Sequence, residues 1–508
     1  MTEATRAGSS LTARTSWLML AKTLGFVFSF ALPLLLVRRL SQAEYGLYKQ
    51  AFLVVTTSLG VLPLGFGMSA FYFLPREPMR RGGVVFNILL FNAAVGGLAA
   101  LTLVLRPQLL GALFGSNELI AYAPLIGVVI LLWIISVFLE VVAIAHQEAK
   151  LATIFIITAQ FTKTALLLTA AALFGSIGAL LWAALAQGAL QTMMLLWYLR
   201  ARFKDFWRGF DWALMRRQLS YALPIGCAGL VFGVMTDLHN YFVSRRFGAA
   251  EFALYSVGCF SLPLVGIIGE SVGSVMIPRV SELQNQGASR EIVLLTARAM
   301  RKLAAIYFPL YAYLLVVGRD LIMLLFTARY LRSWPIFVIN LTLLPSLVLI
   351  VDPIMRAHAE HRFFLLKVRS ATVVVLFGAL WFGTQRFGPV GAISIMVGSA
   401  LVDRFIETAK AWRIVGVRRR DARLLQDLGK LALAAAVAGL GAAVVRLGLS
   451  GFRPFVVLAV CGVAFGYVYL ICAWLLRVPT LDERAFVRQH LARIQRRLLW
   501  RGAMDPLG

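Results

Sequence analysis

Five ionisable residues interrupt stretches of this chain that are otherwise apolar: the cations Lys22, Lys163 and Arg404, and the acids Glu270 and Asp237. A charged side chain at the centre of a bilayer costs roughly 2.5 to 3.5 kcal/mol on insertion scales, so each marks a candidate functional position. If the three cations face one cavity, they give it a positive floor suited to a pyrophosphate group. The acids suit a different task, taking up a proton or a coupling cation, with Glu270 the first candidate and Asp237 the second. Each has a plainer alternative. Lys22 can snorkel to the interface, and Arg404 can be neutralised by Asp403 or by Glu407 one turn away. Glu270 can pair with a lysine, and Asp237 can cap a polar helix end with His239 and Asn240. No phosphate loop, ATPase motif, catalytic triad or metal-ligand cluster occurs, so no covalent chemistry, cofactor or metal is expected and the driving force must be a gradient.

The elements that carry these residues are apolar segments long enough to cross about 30 Å of hydrocarbon as helices of about 20 residues. Fourteen are expected, near 15 to 37, 44 to 74, 83 to 105, 119 to 145, 151 to 174, 176 to 199, 217 to 243, 252 to 277, 301 to 318, 333 to 357, 362 to 384, 389 to 411, 428 to 449 and 453 to 476. With the N-terminus inside, 35 of the 50 lysines and arginines fall on the cytoplasmic side and 11 on the outer side. That bias is the positive-inside rule for N-in and C-in, and a shift by one span would invert it. The expectation is an all-α polytopic membrane protein.

Composition supports this: a mean hydropathy of +0.81 with only 14% charged residues leaves too little polar surface for a soluble protein. The net charge of +27 follows the inner loops rather than one domain, so it belongs to topology and anionic lipid and not to nucleic acid. The first apolar stretch has no small-residue cleavage site and is too long for a signal-peptide core, so it is expected to remain as a span. Cys227, Cys259, Cys461 and Cys472 show no paired spacing and read as buried thiols.

Short stretches recur in order six spans apart. Ala43-Glu-Tyr-Gly-Leu-Tyr48 returns as Ala250-Glu-Phe-Ala-Leu-Tyr255, Leu109 to Phe114 as Leu321 to Phe326, Pro124 as Pro335, Ala145 to Lys150 as Ala357 to Arg362, and Phe174 to Ala179 as Phe387 to Ala392. An even number of spans separates the copies, so this is a parallel repeat of two six-helix lobes, with the substrate site expected between them. The domains expected are an N-lobe (1–199), a cytoplasmic linker (200–216), a C-lobe (217–412), an extra helix pair (413–476) and a cytoplasmic amphipathic tail (477–508). In the tail, Val487, Leu491, Ile494 and Leu498 recur opposite arginines, as in a helix lying on an anionic leaflet. Pro33, Pro63, Pro224, Pro263, Pro309 and Pro345 lie within spans and mark candidate kinks.

The run Leu40-Ser-Gln-Ala-Glu-Tyr-Gly-Leu-Tyr48, the second-half opening Tyr221-Ala-Leu-Pro224 with Asp237, and Gly248-Ala-Ala-Glu-Phe-Ala-Leu-Tyr255 resemble polysaccharide flippases of the multidrug/oligosaccharidyl-lipid/polysaccharide exporter superfamily. So does the Leu-Phe turn followed by a proline-bearing span. The resemblance covers about residues 15 to 415. It implies a twelve-helix, two-lobed core that moves lipid-linked oligosaccharide from the cytoplasmic to the outer leaflet. Fourteen spans match the related lipid II flippases, but the glycine- and arginine-rich first span of that branch is absent, which places peptidoglycan precursor second.

The function this resemblance implies is alternating-access flipping of a polyprenyl-pyrophosphate-linked oligosaccharide for surface or exopolysaccharide synthesis, in the bacterial cytoplasmic membrane. Lys163, Lys22 and Arg404 would hold the pyrophosphate; Gln160, Gln187, Gln191, Asn87, Asn92 and Asn340 can hydrogen-bond sugar hydroxyls, or bond between helices instead. Expected partners are the substrate, membrane lipids, H+ or Na+ as coupling ion, and polymerase or glycosyltransferase machinery. A cation-coupled multidrug exporter is the first alternative and would want acid-rich cavities, which the lysines disfavour. A membrane glycosyltransferase would want a large outer loop, and every expected outer loop is short.

Overall fold

The structure, a computed structural model, describes residues 25, 27–358 and 362–478. Among the described residues no strand occurs. The helices in chain order are α1 (27–39), α2 (Gln42–Val61), α3 (Ser69–Arg76), α4 (Arg81–Leu105), α5 (Gln108–Phe114), α6 (Ala123–Ser136), α7 (Phe138–Ala145), α8 (Ala149–Leu173), α9 (Ile177–Arg202) and α10 (Trp212–Gly258). They continue as α11 (Pro263–Asn285), α12 (Ser289–Phe326), α13 (Trp334–Leu341), α14 (Leu343–Ser346), α15 (Asp352–Ala357), α16 (Arg362–Val415), α17 (Gln426–Gly448) and α18 (Pro454–Leu475). Nine helices among the described residues are long and apolar enough to cross a membrane, or up to eleven if each of two bent pairs counts as one span. The chain is an all-α, multi-pass membrane protein. Lys22, with residues 15–24 and 26 of the first expected span, and the amphipathic tail beyond residue 478 lie outside the described residues.

Local chemistry sets where the helices start and bend. Ser41 caps α2 by accepting from the Glu44 backbone N–H, while the Glu44 carboxylate accepts from the Ser41 N–H and hydroxyl. This reciprocal box satisfies donors that the first turn would otherwise leave unpaired. Pro63 and the left-handed Gly65 (φ 66°) separate α2 from the following helix, which leaves at 44°, and α10 bends by 40° at Pro224. The two longest helices are each interrupted once, at Gly248 (φ 75°) in α10 and Gly388 (φ 63°) in α16. Both breaks fall between expected spans, at a backbone conformation that only glycine adopts without strain. The expected tenth span differs most from its reading: it is broken into α13, α14 and α15.

The chain divides into two compact units: Met1–Leu264 with Leu325–Asn340 and Glu360–Asp403, and Val265–Leu324 with Leu341–Ala359 and Arg404–Gly508. In the first unit α2 runs along α10 with almost no space between backbones. A Cβ on Gly46 would lie 1.8 Å from the Ala249 carbonyl oxygen, and one on Gly226 would lie 2.0 Å from that of Leu64. Gly46 belongs to the first repeat motif and Ala249 adjoins the second, so the motif copies meet. An aromatic and aliphatic core that includes Phe66, Phe138, Phe155 and Tyr198 fills the space among α3, α4, α7, α8 and α9.

In the second unit the extra pair α17 and α18 is anchored on α12. Tyr313 donates to the Leu458 carbonyl (2.7 Å), Tyr469 donates to the Ala305 carbonyl (3.1 Å), and Arg446 Nε meets Asp320 Oδ2 at 2.8 Å. The Asp320 side chain is 9% exposed and that of Arg446 35%, so solvent screens the pair from one side only. Asp320→Ala leaves a guanidinium without its partner and is expected to cost about 1 to 2 kcal/mol, below the toll for a fully buried pair. A lowered melting temperature of the purified protein, partly restored by exchanging the two residues, is the expected result; an unchanged one would make the pair ornamental.

Candidate functional site

Lys163 lies in the middle third of α8, where an apolar run would ordinarily exclude a charge. It opens into a cavity of about 180 Å³ within the first unit, lined by α6, α7, α8 and α9 and by Leu59 of α2. Its Nζ stands 4.6 Å over the Trp133 ring. The indole face compensates part of the ammonium's cost, about 0.5 to 2 kcal/mol. Trp133 is itself fixed, because its Nε1 donates to the Ala184 carbonyl at 3.0 Å and a Cβ on Gly188 would come within 2.7 Å of its ring. Among the described residues no carboxylate lies in salt-bridge range of Lys163.

The remaining lining is mixed: Ser136, Glu140 and three glutamines are polar, and Leu59, Val137, Leu139, Phe155, Ile156 and Ala159 are apolar. Gln187 Nε2 donates to Gln191 Oε1 at 2.8 Å along α9, and Gln160, one turn before Lys163, accepts from Ser29 on α1 at 3.2 Å. Glu140 also lines the chamber, in the first turn of α7 just after the break at Val137. Trp133 was not singled out at all, and only its apolar surroundings near an expected span centre could have pointed to it. A lysine, an indole, three glutamines and one acid around a small space can hold an anion and the hydroxyls beside it.

The other candidates occupy different places. Asp237 on α10 is half-buried and accepts from Thr57 on α2 at 3.2 Å. The same helix α2 thus touches both Asp237, through Thr57, and the Lys163 chamber, through Leu59. His239 is taken up by Tyr255, at 2.6 Å. Arg404 on α16 donates to the Leu349 carbonyl at 3.3 Å, while its neighbour Asp403 accepts from Thr372. Glu270 is exposed on α11. Asn87 donates to the Asp211 carbonyl and to Gln218, and Asn92 to the Ile134 carbonyl, so both bind neighbouring segments. All four cysteines are free; Cys461 is buried as expected, but Cys227 is exposed. No cluster of three metal-ligating side chains occurs among the described residues.

A separate cavity of about 270 Å³ lies in the second unit among α12, α15 and the end of α16, and it is mostly apolar. Asp421 on its rim accepts from the Arg418 backbone N–H at 2.8 Å and pairs with Arg290, and these partners hold its carboxyl below the usual carboxylate range. Its one cation, Arg418, shares the space with Trp412 but with no amide side chain, so this cavity lacks the glutamine lining of the Lys163 chamber.

The family described as Polysaccharide biosynthesis protein matches residues 16–335. The chain belongs to this family. A comparison with curated proteins finds no match. Among solved structures, the lipid II flippase MurJ in an inward closed conformation superposes with a TM-score of 0.71 at 15% identity, over 90% of this chain and 97% of that one. A mutant of the Vibrio cholerae MATE transporter VcmN gives 0.56 at 16% identity, over 80% and 97%. A MOP superfamily transporter from Pyrococcus furiosus gives 0.55 at 14%, over 80% and 95%. At such identities the likeness is one of fold. The chain is thus a member of the polysaccharide biosynthesis family with the fold that these transporters share.

Proposed function

We propose that this chain flips polyprenyl-pyrophosphate-linked oligosaccharide from the cytoplasmic to the outer leaflet of a bacterial cytoplasmic membrane. The observation that carries the reading is a lysine with no carboxylate in salt-bridge range among the described residues, set over Trp133 with three glutamines around it, in a member of a polysaccharide biosynthesis family. Lys163 attracts the pyrophosphate, Gln187 and Gln191 exchange their mutual hydrogen bond, and Gln160 its bond from Ser29, for sugar hydroxyls, and the prenyl chain stays in lipid. Lys22 and Arg404 are the further candidates for holding the pyrophosphate. Rocking of the two repeat lobes, 1–199 and 217–412, then exposes the sugar outside. Asp237 or Glu270 takes up the coupling H+ or Na+, and release hands the repeat unit to polymerase machinery.

Loss of the protein is expected to leave lipid-linked oligosaccharide on the cytoplasmic leaflet while surface polysaccharide falls. Unchanged surface glycan together with raised sensitivity to cationic dyes would replace this reading with a multidrug exporter. A lipid II flippase is the second reading, favoured by the fuller overlap with MurJ, 90% of this chain against 80% for the MATE transporter. Rescue of a MurJ-depleted strain would select it.

The orientation proposed is N-in and C-in. Cysteines at the exposed Ala250 and Arg386, next to the two glycine breaks, are expected to react with an impermeant thiol reagent from outside, once Cys227 is replaced by serine. Those at Met79 and Gln286 are expected to react only after the membrane is opened. The reverse pattern would invert the direction of transport.

A further inference from the structure

A second cavity of the first unit, about 740 Å³, lies at the ends of α10 and α16 that precede their glycine breaks, and it shares no lining residue with the Lys163 chamber. Its walls are two stripes at helical spacing. On α10 the stripe runs from Leu238 through Phe242 to Arg245 and Arg246; on α16 it runs from Phe377 through Trp381 to Gln385. The lining is therefore graded. Leu238 and Arg245 are separated by about 10 Å along the helix axis, at 1.5 Å per residue, so one end of the cavity is apolar and aromatic and the other cationic.

The cationic end is built and unspent. Gly115, with φ 65°, closes α5 so tightly on α10 that a Cβ there would lie 2.4 Å from the Arg245 carbonyl oxygen, which fixes the backbone at the rim. Both arginines are exposed, and among the described residues no carboxylate pairs with either. Thr384 turns its hydroxyl back onto the Leu380 carbonyl at 2.6 Å. What faces a ligand is two guanidinium groups and the Gln385 amide beside an aromatic wall, where Phe242 and Phe377 meet edge to face at 5.3 Å; the Tyr241 hydroxyl donates instead to the Leu53 carbonyl at 3.5 Å.

We propose that this cavity binds the phosphate-bearing head of a lipid, with Arg245 and Arg246 on the phosphate and Trp381, Phe377 and Phe242 along the first carbons of its chain. Guanidinium groups match phosphate oxygens two at a time, and α10 breaks two residues beyond Arg246, at Gly248 between two expected spans, where lipid phosphates are expected. A free phosphate would leave the aromatic half unused, and a neutral sugar would leave the arginines unused. A polyprenyl carrier and a glycerophospholipid share this chemistry. If the carrier is the occupant, the cavity is a place where the substrate rests after leaving the central chamber.

The test uses full-length protein carrying Lys163→Ala, which removes the central cation, so that binding here is read whether or not the flippase reading holds. Binding of geranylgeranyl pyrophosphate, dioleoyl phosphatidylglycerol and inorganic pyrophosphate is measured in detergent by native mass spectrometry. At least one of the two lipids is expected to bind at one per chain and at least tenfold more tightly than inorganic pyrophosphate. Arg245→Ala with Arg246→Ala should weaken it tenfold or more, and Arg245→Lys with Arg246→Lys by less. Trp381→Ala should weaken the lipid but not inorganic pyrophosphate; should that variant fail to fold, the arginine pair decides alone. Tighter binding of geranylgeranyl pyrophosphate assigns the carrier, and tighter binding of phosphatidylglycerol assigns a bilayer lipid. The proposal is overturned if neither lipid binds, if the double alanine variant binds as before, or if inorganic pyrophosphate binds as tightly as the lipids.

Discussion

Replacing Lys163 with alanine or glutamine is expected to abolish export while leaving the protein at normal abundance in the membrane. The energies decide the direction. A lone ammonium inside a span costs roughly 2.5 to 3.5 kcal/mol, and the Trp133 face returns only about 0.5 to 2 kcal/mol of it, so removing the charge leaves folding neutral or slightly improved. No carboxylate is stranded by the change, because none pairs with the lysine among the described residues. Transport loses its anion contact in a site of low dielectric, where a charge-assisted hydrogen bond is worth about 1.5 to 3 kcal/mol, a factor of ten to a hundred. Arginine at this position should rescue in part, since the charge returns but the planar fork must fit beside Trp133. Trp133→Leu should impair export less than loss of the lysine does. Complementation of a flippase-null strain, read beside membrane abundance, separates these outcomes. Full export by Lys163→Ala would remove the lysine from the substrate path, and a matching fall in abundance would make it structural.

Gly46→Ala is expected to do the opposite, lowering abundance and melting temperature before any question of transport arises. Alanine favours a helix interior over glycine by about 1 kcal/mol, so local propensity alone predicts a gain. The added methyl would sit 1.8 Å from the Ala249 carbonyl oxygen, a backbone atom of α10 that no rotamer can move aside. α2 and α10 must separate, and overpacking of this kind costs about 2 to 4 kcal/mol. Gly60→Ala on the same helix is the control, because nothing lies within 4 Å of its added Cβ. Equal loss for both variants would mean that α2 tolerates no alanine anywhere, and no loss for either would mean that the two helices are not in contact.

The parts of this molecule legible in the sequence were those written in local chemistry. Apolar length gave the helices, and the glycine-bearing interruptions near 248 and 388 gave the two breaks in α10 and α16. The repeat located Gly46 and Ala249 as corresponding neighbourhoods but not as touching ones. A span that is apolar on every side carries no stripe to say which face meets which neighbour, so the contact of Lys163 with Trp133, thirty residues earlier, left no trace in spacing. The break between α6 and α7 at Val137 has no proline or glycine to announce it either, so spacing gives no sign that Glu140 lines the chamber. The tenth span hid its division into three short helices behind uniform hydrophobicity. The docking of α17 and α18 on α12 combines apolar contacts, such as Val317 with Val457, with single polar side chains, Tyr313, Tyr469 and Asp320, whose partners lie more than a hundred residues away.

The central claim is tested most directly by translocation itself. Purified protein is reconstituted into liposomes that contain a fluorescent polyprenyl-pyrophosphate-linked oligosaccharide, and the fraction of head groups reached by an impermeant glycosidase is followed over time. With the wild-type chain the protected half of the substrate is expected to become accessible, at a rate that falls at least tenfold for Lys163→Ala and that ordinary phospholipid heads do not share. A protected fraction that stays constant with correctly folded wild-type protein, across imposed proton and sodium gradients of either sign, would contradict the account.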